Sequence, residues 1–122
     1  ALIDRAPGAT LEQIESARQK AYRAPLLMLA VMIAGDDAAC AVPAVERLVS
    51  LGCAIQNILL AVHSMGYGSG LTSGQALSSD RLRRLFLLQN HESAVCFVNI
   101  GSVAFSKPVR IRPQTAYFVS SL

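Results

Sequence analysis

The longest uncharged stretch of the chain constrains its fold more than any other feature. Between Arg47 and Asp80 there is no aspartate, glutamate, lysine or arginine. Pro43 at one end suits the start of a helix, where a missing N–H costs nothing, and Gly66 suits a helix end, where the left-handed conformation is needed. The stretch therefore predicts a helix over about Ala44 to Met65, roughly 30 Å long at about 1.5 Å per residue.

The apolar residues of this helix lie on nearly all of its sides. Leu48, Leu51, Ile55, Leu59 and Val62 follow the spacing of one face, and Cys53, Ile58, Leu60 and Met65 cover other faces. A helix of this kind is buried in a core, a subunit contact or a membrane. In lipid, each polar side chain of the helix would need a hydrogen-bond partner within the protein. The helix has five such side chains: Ser50, Gln56, Asn57, His63 and Ser64. The pattern favours a buried helix of a soluble protein, near a subunit contact, over a membrane span.

The overall composition indicates a chain that does not cover its own apolar surface. Hydrophobic residues make up 52% of the 122 residues and charged residues only 16%, whereas the usual apolar share is about 45–50% even with glycine included. A chain of this length forms one domain at most. We therefore expect either an oligomer or a chain that lacks part of its own fold. Because the sequence starts with Ala1 rather than methionine, we expect an amino-terminal piece to be missing.

The few cysteines and histidines argue against a metal centre. Cys40, Cys53 and Cys96 are far apart and form no C-x-x-C pair, and two histidines do not complete a zinc set. Cys53 and Cys96 lie in apolar runs and are predicted to be small buried hydrophobes. His63 is expected to be a core histidine rather than a proton donor. Reduced thiols and the lack of a signal-peptide pattern favour a cytoplasmic protein.

The basic residues are grouped, and the net charge is +3. One group comprises Arg81, Arg83 and Arg84, and the other comprises Lys107, Arg110 and Arg112. Such groups indicate either an anion site or a solvated face, and without a further signal the solvated face is favoured. Nucleic-acid binding is disfavoured because few aromatic residues, which would stack on bases, accompany them.

Two shorter helices are predicted from their capping signals. Thr10, with Gln13 three residues later, predicts a capped helix that ends near residue 22. Ser78 or Ser79 is predicted to cap a helix that ends near residue 87. The residues expected to face inward are Leu11, Ile14, Ala17 and Ala21 in the first helix and Leu82, Leu85 and Phe86 in the second.

Three segments have the composition of β-strands. Leu26 to Ala34 is a continuous apolar run and predicts a strand buried on both faces. Ala94 to Ile100 is rich in β-branched and aromatic residues and predicts a second strand. Ala116 to Val119 could form a terminal strand on this chain's sheet or on a partner's. Because two strands do not make a stable sheet, further strands are expected from absent residues or another subunit.

A glycine-rich turn, Gly66-Tyr-Gly-Ser-Gly, follows the central helix. It is not a dinucleotide-binding turn, because it follows a helix rather than a strand, and it lacks the Gly-Lys-Ser/Thr of a phosphate-binding loop. Its backbone and the hydroxyls of Thr72 and Ser73 could hydrogen-bond a planar polar ligand. The alternative, favoured on chemistry alone, is a Schellman cap followed by a solvent loop.

Several segments, taken in order, share the pattern of one known family. They are Arg23-Ala24-Pro25 before an apolar run, Gly52-x-Ala54-x-Gln56-Asn57-x-x-Leu60-Ala61, Met65-Gly66-Tyr67-Gly68-Ser69, Leu82 to Phe86, and Ala94 to Gly101. Through them the chain resembles the FMN-dependent nitroreductase family, nearest to its short, single-domain members. The match runs over roughly Gln19 to Val119.

The resemblance implies an α+β fold, in which helices flank a central β-sheet around a long buried central helix. It also implies an intertwined homodimer with FMN at the subunit interface. Residues 1–122 would be a single partial domain, the carboxy-terminal two-thirds or so of the family fold, and the family's amino-terminal phosphate-binding segment has no counterpart.

The activity implied by the resemblance is hydride transfer from NAD(P)H through the flavin to a nitroaromatic or quinone-like acceptor. No catalytic acid, nucleophile or metal is required. The alternative is a non-enzymatic dimerising or ligand-binding relative that has lost flavin chemistry.

The resemblance also implies site residues. Leu71, Thr72 and Ser73 match the segment that contacts FMN in the short nitroreductases, although relatives often carry Trp-Arg in place of Leu71-Thr72. Arg110 and Arg112 match a region where the family places basic residues against the FMN phosphate, which arginine grips bidentately. The stretch assigned to the nicotinamide nucleotide in near relatives is matched by Ala61, Val62, His63, Ser64, Met65 and Gly66. From the residues alone, core packing is expected of this last stretch.

Overall fold

The computed structural model describes residues 8–20, 22, 24–33, 41–105 and 108–120. The elements in chain order are α1 (Leu11–Lys20), β1 (Leu26–Ile33), α2 (Ala44–Ser64), β2 (Gly68–Thr72), α3 (Asp80–Leu85) and β3 (Glu92–Gly101). Short 3₁₀ turns lie at Gln75–Ser78 and Thr115–Tyr117. Helices combined with one antiparallel sheet confirm the α+β class. The residues named above that fall outside the described ranges are Ala1, Ala21, Arg23, Ala34, Cys40 and Lys107.

The three strands form an antiparallel sheet in the order β1-β3-β2. The central strand, β3, pairs with β1 from Leu26 opposite Ile100 to Ile33 opposite Glu92, with a register shift after Ala30. On its other side β3 pairs with β2 over the whole length of that strand. The strand predicted from its β-branched and aromatic residues is therefore the one that holds the sheet together.

The third strand, β2, was not predicted. Its sequence, Gly68-Ser-Gly-Leu-Thr, lies in the predicted glycine-rich turn and the segment after it. Glycine is depleted in strands, so the local preference for a strand is weak. The expectation that further strands must come from outside the chain is accordingly wrong for this strand. The pairing partner explains the outcome: β3 runs for ten residues and offers β2 a full ladder of hydrogen bonds, which outweighs the weak local preference.

The core lies between α2 and one face of the sheet. Ile55 of α2 forms a buried cluster with Cys96 and Val98 of β3. The partly buried residues around this cluster are Ala30, Leu51, Ile58, Leu59 and Ile100. Because side chains alternate along a strand, Phe97 and Asn99 lie on the opposite face. There the rings of Phe97 and Phe86 have centroids 6.1 Å apart.

Close approach of two chain segments fixes one end of the sheet. Gly101, the last residue of β3, pairs with Gly68 of β2. A Cβ atom on Gly101 would lie 2.6 Å from Cδ of Pro25. Glycine at this position thus lets the chain entering β1 pass directly over the end of β3.

The predicted boundaries of α2 are confirmed to within one residue at its carboxyl end. Gly66 adopts φ 82°, in the left-handed region. The Gly66 N–H donates to the carbonyl of His63 at 3.0 Å, and the Tyr67 N–H donates to that of Val62 at 3.1 Å. These two bonds are the Schellman motif. The cap was therefore predicted correctly, but it leads into β2 and not into a solvent loop.

The predicted burial of α2 is wrong for the single chain. Only Ile55 and Val62 are buried, whereas Val45, Val49 and Leu60 are 67%, 63% and 57% exposed. A three-stranded sheet covers one side of a helix, so apolar residues on the remaining sides face outward. By length and composition alone α2 would suit a membrane span, with a mean hydropathy of 1.5. The core helix of a water-soluble protein meets the same test, and α2 packs on the sheet through Ile55.

The two cysteines in the described ranges differ for the same reason. Cys96 lies on the face of β3 that α2 covers and is buried, as predicted. Cys53 lies on an uncovered side of α2 and is exposed, so the prediction of a buried thiol is wrong there. His63 is exposed as well, and its interpretation as a core histidine is wrong.

Both shorter helices begin at predicted caps. The Thr10 N–H donates to Oε1 of Gln13 at 3.0 Å, and the Gln13 N–H donates to Oγ1 of Thr10 at 3.2 Å. This reciprocal pair is a capping box. In α3 the cap is Ser79 rather than Ser78: its buried hydroxyl accepts from the Leu82 N–H at 3.2 Å.

The inward-facing residues of α1 and α3 were predicted with mixed success. Leu82 is buried, and Ile14 and Ala17 are half-buried, as expected. Leu11 and Leu85, however, are 85% and 78% exposed. Apolar spacing predicts which side of a helix will be buried against a neighbouring element. Among the described residues of the single chain, no such element packs against Leu11 or Leu85.

Two strand predictions also need correction. β1 is an edge strand and is not buried on both faces: Leu26 and Ile33 are 49% and 58% exposed. Residues 116–119 form no strand on this chain's sheet but follow or belong to the 3₁₀ turn Thr115–Tyr117. A strand formed there on a partner's edge stays a prediction.

Candidate functional site

The two stretches matched to nucleotide binding are joined by the Schellman turn and most of β2. Residues 61–64 form the last turn of α2, and residues 65–66 form its cap. Leu71 and Thr72 end β2, and Ser73 follows directly. The segment 67–70 separates the two stretches, and because a strand advances about 3.3 Å per residue, residues 71–73 lie at the end of β2 that is farther from the end of α2.

Most of the stretch 61–66 is available to solvent. Only Val62 is buried, so the expectation of core packing holds for this residue and is wrong for its neighbours. Met65 is 70% exposed. The Ser64 hydroxyl donates to the carbonyl of Ala61 at 2.8 Å, which ties this side chain to its own helix. The side chains that remain for an external ligand are those of His63 and Met65.

Leu71 and Thr72 face opposite sides of the sheet. Leu71 pairs with Val98, whose side chain lies toward α2, and Thr72 pairs with Phe97, whose side chain lies on the other face. Because successive strand residues alternate, a ligand lying flat on one face meets only one of these two side chains. The structure thus separates two residues that the sequence places together.

The Thr72 hydroxyl has a defined partner. Nδ2 of Asn99, in β3, donates to Oγ1 of Thr72 at 2.9 Å and to the carbonyl of Gly70 at 3.2 Å. Gly70 is the residue of β2 directly opposite Asn99. One amide therefore links the central strand to two residues of β2 at the end where the candidate site lies.

The outer edge of β2 is open. In the described ranges β2 pairs only with β3, because it is the last strand of the sheet. An edge strand presents N–H and C=O groups that the sheet does not use. Together with the exposed hydroxyls of Thr72 and Ser73, this edge offers both donors and acceptors to a planar polar ligand.

Arg110 and Arg112 lie in an irregular exposed segment, between Val109 and Ile111, which are 97% and 100% exposed. Within the part of the chain that the structure describes, neither guanidinium makes a hydrogen bond or an ion pair. The single chain therefore does not bring the arginines to β2 through such a contact.

Two open depressions lie away from the predicted residues. The larger, of about 580 Å³, is lined by Asp80, Arg83, Arg84, Leu87, Leu88, Gln89 and Asn90. The smaller, of about 240 Å³, is lined by Leu77, Ser78, Arg83, Ser93 and Ala94. Neither includes a residue matched to flavin or nicotinamide binding. Both depressions border α3 and are open to solvent. They would not enclose a ligand, so they are weak candidates for the site.

Arg83 has a structural role that the sequence did not reveal. Its Nη1 donates to the carbonyl of Glu92 at 2.9 Å, and its Nη2 donates to that of Gln89 at 2.6 Å. The guanidinium thereby fastens α3 to the start of β3. The interpretation as a solvated basic face is wrong for this arginine.

Asn99 is the residue near the candidate site that sequence reasoning missed. A signal was present, because Asn99 is the single amide or charged side chain in the run Ala94 to Ile100. A polar residue in such a strand needs a partner when it is covered. That partner, Thr72, is 27 positions away in sequence, and local patterns do not identify a contact of this range.

A family model described as "Nitroreductase family" matches residues 3–102. A protein of Haemophilus influenzae, named as a presumed NAD(P)H nitroreductase, is 29% identical over 91 residues, which is 75% of this chain and 49% of the relative. YdjA of Escherichia coli, with the same kind of name, is 29% identical over 116 residues, 94% of this chain and 62% of the relative. The chain thus spans about half to three-fifths of the length of these curated relatives.

The fold has a solved counterpart. A nitroreductase-like family protein from Bacillus cereus superposes with a TM-score of 0.74 at 16% identity, over 99% of this chain and 66% of the other. At this identity the likeness shows the fold alone. It agrees with the family match in placing α2, β2 and β3 in a nitroreductase-like arrangement.

Proposed function

This chain belongs to the nitroreductase family, and on that premise we propose that it is part of an FMN-dependent NAD(P)H oxidoreductase. The acceptors we propose are nitroaromatic or quinone-like compounds. The observation that carries the proposal is the family match over residues 3–102, which includes all of α2, β2 and β3. The names of the relatives supply the hydride donor, NAD(P)H.

The residues of the candidate site fit FMN in their donor chemistry. The polar edge of an isoalloxazine ring carries both hydrogen-bond donors and acceptors, and the open edge of β2 with the Thr72 and Ser73 hydroxyls presents both kinds of group. A phosphate requires cationic donors, which Arg110 and Arg112 would supply bidentately. We propose that the ring lies along this edge, where it contacts the backbone of Leu71 and the side chains of Thr72 and Ser73, and that the two arginines hold the phosphate.

The protein's part in this chemistry is positional. When bound, FMN supplies the redox step, taking up a hydride and passing it on. β2, which is paired to the central strand β3, would hold the ring in a fixed position. The end of α2, residues 61–66, would border the nicotinamide nucleotide. No side chain is assigned a proton-transfer role.

We propose a homodimer with the flavin at the subunit interface. Most residues of α2 are exposed in the single chain, and so are the residues matched to FMN. A second subunit packed on α2 would cover its exposed apolar sides, and if it extended past the open edge of β2 it would also exclude water from the ring. We further propose a cytoplasmic enzyme that binds neither nucleic acid nor membrane.

Titration of the purified protein with FMN tests the proposal directly. Quenching of flavin fluorescence, followed by NADH- or NADPH-dependent reduction of a nitroaromatic by the yellow complex, is the expected result. A protein that stays colourless and leaves the fluorescence unchanged would contradict it. That outcome would favour the alternative, a dimerising or ligand-binding relative without flavin chemistry.

The arginines are tested by comparing two flavins. Arg110→Ala combined with Arg112→Ala should weaken FMN binding by about tenfold or more and leave riboflavin binding nearly unchanged, because only FMN carries a phosphate and hydrogen bonds to charged groups contribute about 1.5–3 kcal/mol each. Arg18→Ala combined with Arg84→Ala removes the same charge elsewhere and should affect neither ligand. Equal losses of affinity for FMN and riboflavin would show that Arg110 and Arg112 do not bind the phosphate.

A further inference from the structure

Asn99 occupies an unusual place for an amide side chain. It lies in the central strand, and its backbone is opposite Leu27 of β1 on one side and opposite Gly70 of β2 on the other. A residue paired on both sides is among the least mobile positions of a three-stranded sheet. Its side chain is on the face away from α2, the same face as that of Thr72.

The orientation of the Asn99 amide follows from its partners. The carbonyl oxygen of Gly70 can only accept a hydrogen bond, so the side-chain atom 3.2 Å from it must be the nitrogen, Nδ2. The second hydrogen of the same nitrogen is then directed to Oγ1 of Thr72, at 2.9 Å. Reversing the amide would place two acceptors together, so a single orientation is satisfied.

This orientation determines what the Thr72 hydroxyl can do. A threonine hydroxyl carries one hydrogen and two lone pairs. One lone pair of Oγ1 accepts from Asn99, so the hydroxyl hydrogen is not needed for that bond and can be donated elsewhere. Thr72 is exposed at the end of β2, so the acceptor available to this hydrogen is solvent or a bound ligand.

We propose that Asn99 is a positioning residue that orients the Thr72 hydroxyl as a hydrogen-bond donor to an acceptor atom on the ring of the bound flavin. The inference rests on the function proposed above and adds a residue to its site. Asn99 itself touches no ligand in this arrangement. It acts by holding Oγ1 at a fixed point relative to the centre of the sheet.

A double-mutant cycle in flavin binding tests the coupling. Thr72→Val removes the hydroxyl with little change of shape, and Asn99→Ala removes the amide. Each single variant should weaken binding by about three- to tenfold, the range expected for one neutral hydrogen bond. The double variant should bind no more weakly than the weaker single variant, because both changes remove the same interaction. Losses that multiply in the double variant would show that Asn99 acts independently and would overturn the proposal.

The comparison of riboflavin with FMN locates the acceptor. Because the proposal places the acceptor on the ring, both ligands should lose affinity by the same factor in Thr72→Val. A loss confined to FMN would place the contact at the phosphate and contradict the proposal. This pattern also separates Thr72 from the two arginines, whose removal should affect FMN alone.

Two further variants separate positioning from folding. Asn99→Asp is nearly isosteric, but its carboxylate only accepts, so the Thr72 hydrogen would turn inward to it. Its affinity should fall as far as that of Thr72→Val, and the shift of the flavin absorption bands on binding should shrink equally in both. Thr72→Ser retains the hydroxyl and should restore wild-type binding. If Asn99→Asp binds flavin like the wild type, or if Thr72→Ser binds as weakly as Thr72→Val, the orienting role is wrong.

Ser69→Ala is the matched control for these variants. Ser69 lies on the same strand and is exposed, but it pairs with Ile100 and faces the α2 side of the sheet. Its removal should leave both flavin affinities and the absorption shift unchanged. If the wild-type protein binds no flavin, the proposed function fails and the inference fails with it. If the wild type binds and the cycle is additive, only the inference fails.

Discussion

Gly66 determines the direction that the backbone takes after α2. Its φ of 82° lets the Schellman bonds close the end of α2 and turns the backbone directly into β2. A Cβ atom at Gly66 would meet nothing within 4 Å. The requirement for glycine is therefore one of backbone conformation and not of space.

Substitution at Gly66 should show this conformational cost. Gly66→Ala should lower the free energy of unfolding by about 1 kcal/mol, since a left-handed residue with a Cβ costs about 1–2 kcal/mol and the reduced freedom of the unfolded chain offsets part of it. Gly66→Asn should cost clearly less, because asparagine tolerates this conformation. Urea denaturation of both variants provides the measurement. Equal losses would indicate that something other than the backbone angle matters.

At the scale of an element, α3 ends on the same motif with an unfavourable residue. The Leu87 N–H donates to the carbonyl of Arg84 at 3.3 Å, and the Leu88 N–H donates to that of Arg83 at 2.9 Å. These are the two Schellman bonds, yet the left-handed position is occupied by Leu87, with φ 53°. Because the Leu87 side chain is 79% exposed, little burial compensates for the strain. The two Arg83 bonds to the following turn hold the conformation in place.

Relieving this strain should stabilise the protein. Leu87→Gly should raise the free energy of unfolding by about 0.5–1 kcal/mol, the balance of roughly 1–2 kcal/mol of relieved strain against roughly 0.5–1 kcal/mol of added freedom in the unfolded chain. Leu85→Gly is the control: Leu85 is equally exposed but helical, so its variant should lose about 0.5–1 kcal/mol. Thermal unfolding should give opposite shifts, and shifts of the same sign would contradict the strain argument.

At the scale of the molecule, α2 is the element that the single chain does not complete. Its covered side is centred on Ile55 and Val62, and Val45, Val49, Gln56 and Leu60 form an exposed stripe along another side. Apolar surface of this extent favours a partner. The proposed homodimer would place this stripe in the subunit contact.

A charge in the stripe should therefore break the proposed dimer. Leu60→Glu loses the burial of a leucine, about 1.5–3 kcal/mol, and adds the cost of desolvating a carboxylate. The dissociation constant should rise at least about tenfold, seen as a shift to monomer in analytical ultracentrifugation. Leu11→Glu makes the same chemical change at an exposed leucine of α1 and should leave the dimer intact. A Leu60→Glu variant as dimeric as the wild type would place the subunit contact elsewhere.

The part of the candidate site that could be predicted is the part that is continuous in sequence. Residues 61–66 and 71–73 were identified from their resemblance to a family, and the structure connects them through the Schellman turn and β2. The contact between Asn99 and Thr72 was not predicted, because it depends on the register of two strands. That register depends on the whole of β3.

The sequence by itself determined the features that depend on residues three to five positions apart. The Thr10–Gln13 box, the Ser79 cap, the Gly66 turn and the extent of α2 all belong to this class, because each is satisfied by groups within one helical turn. Only the tertiary structure decided that a glycine-rich segment becomes β2, that Asn99 holds Thr72, and that α2 keeps most of its sides open. These outcomes depend on which distant segments supply hydrogen bonds and apolar contact area. A local sequence pattern does not identify those segments.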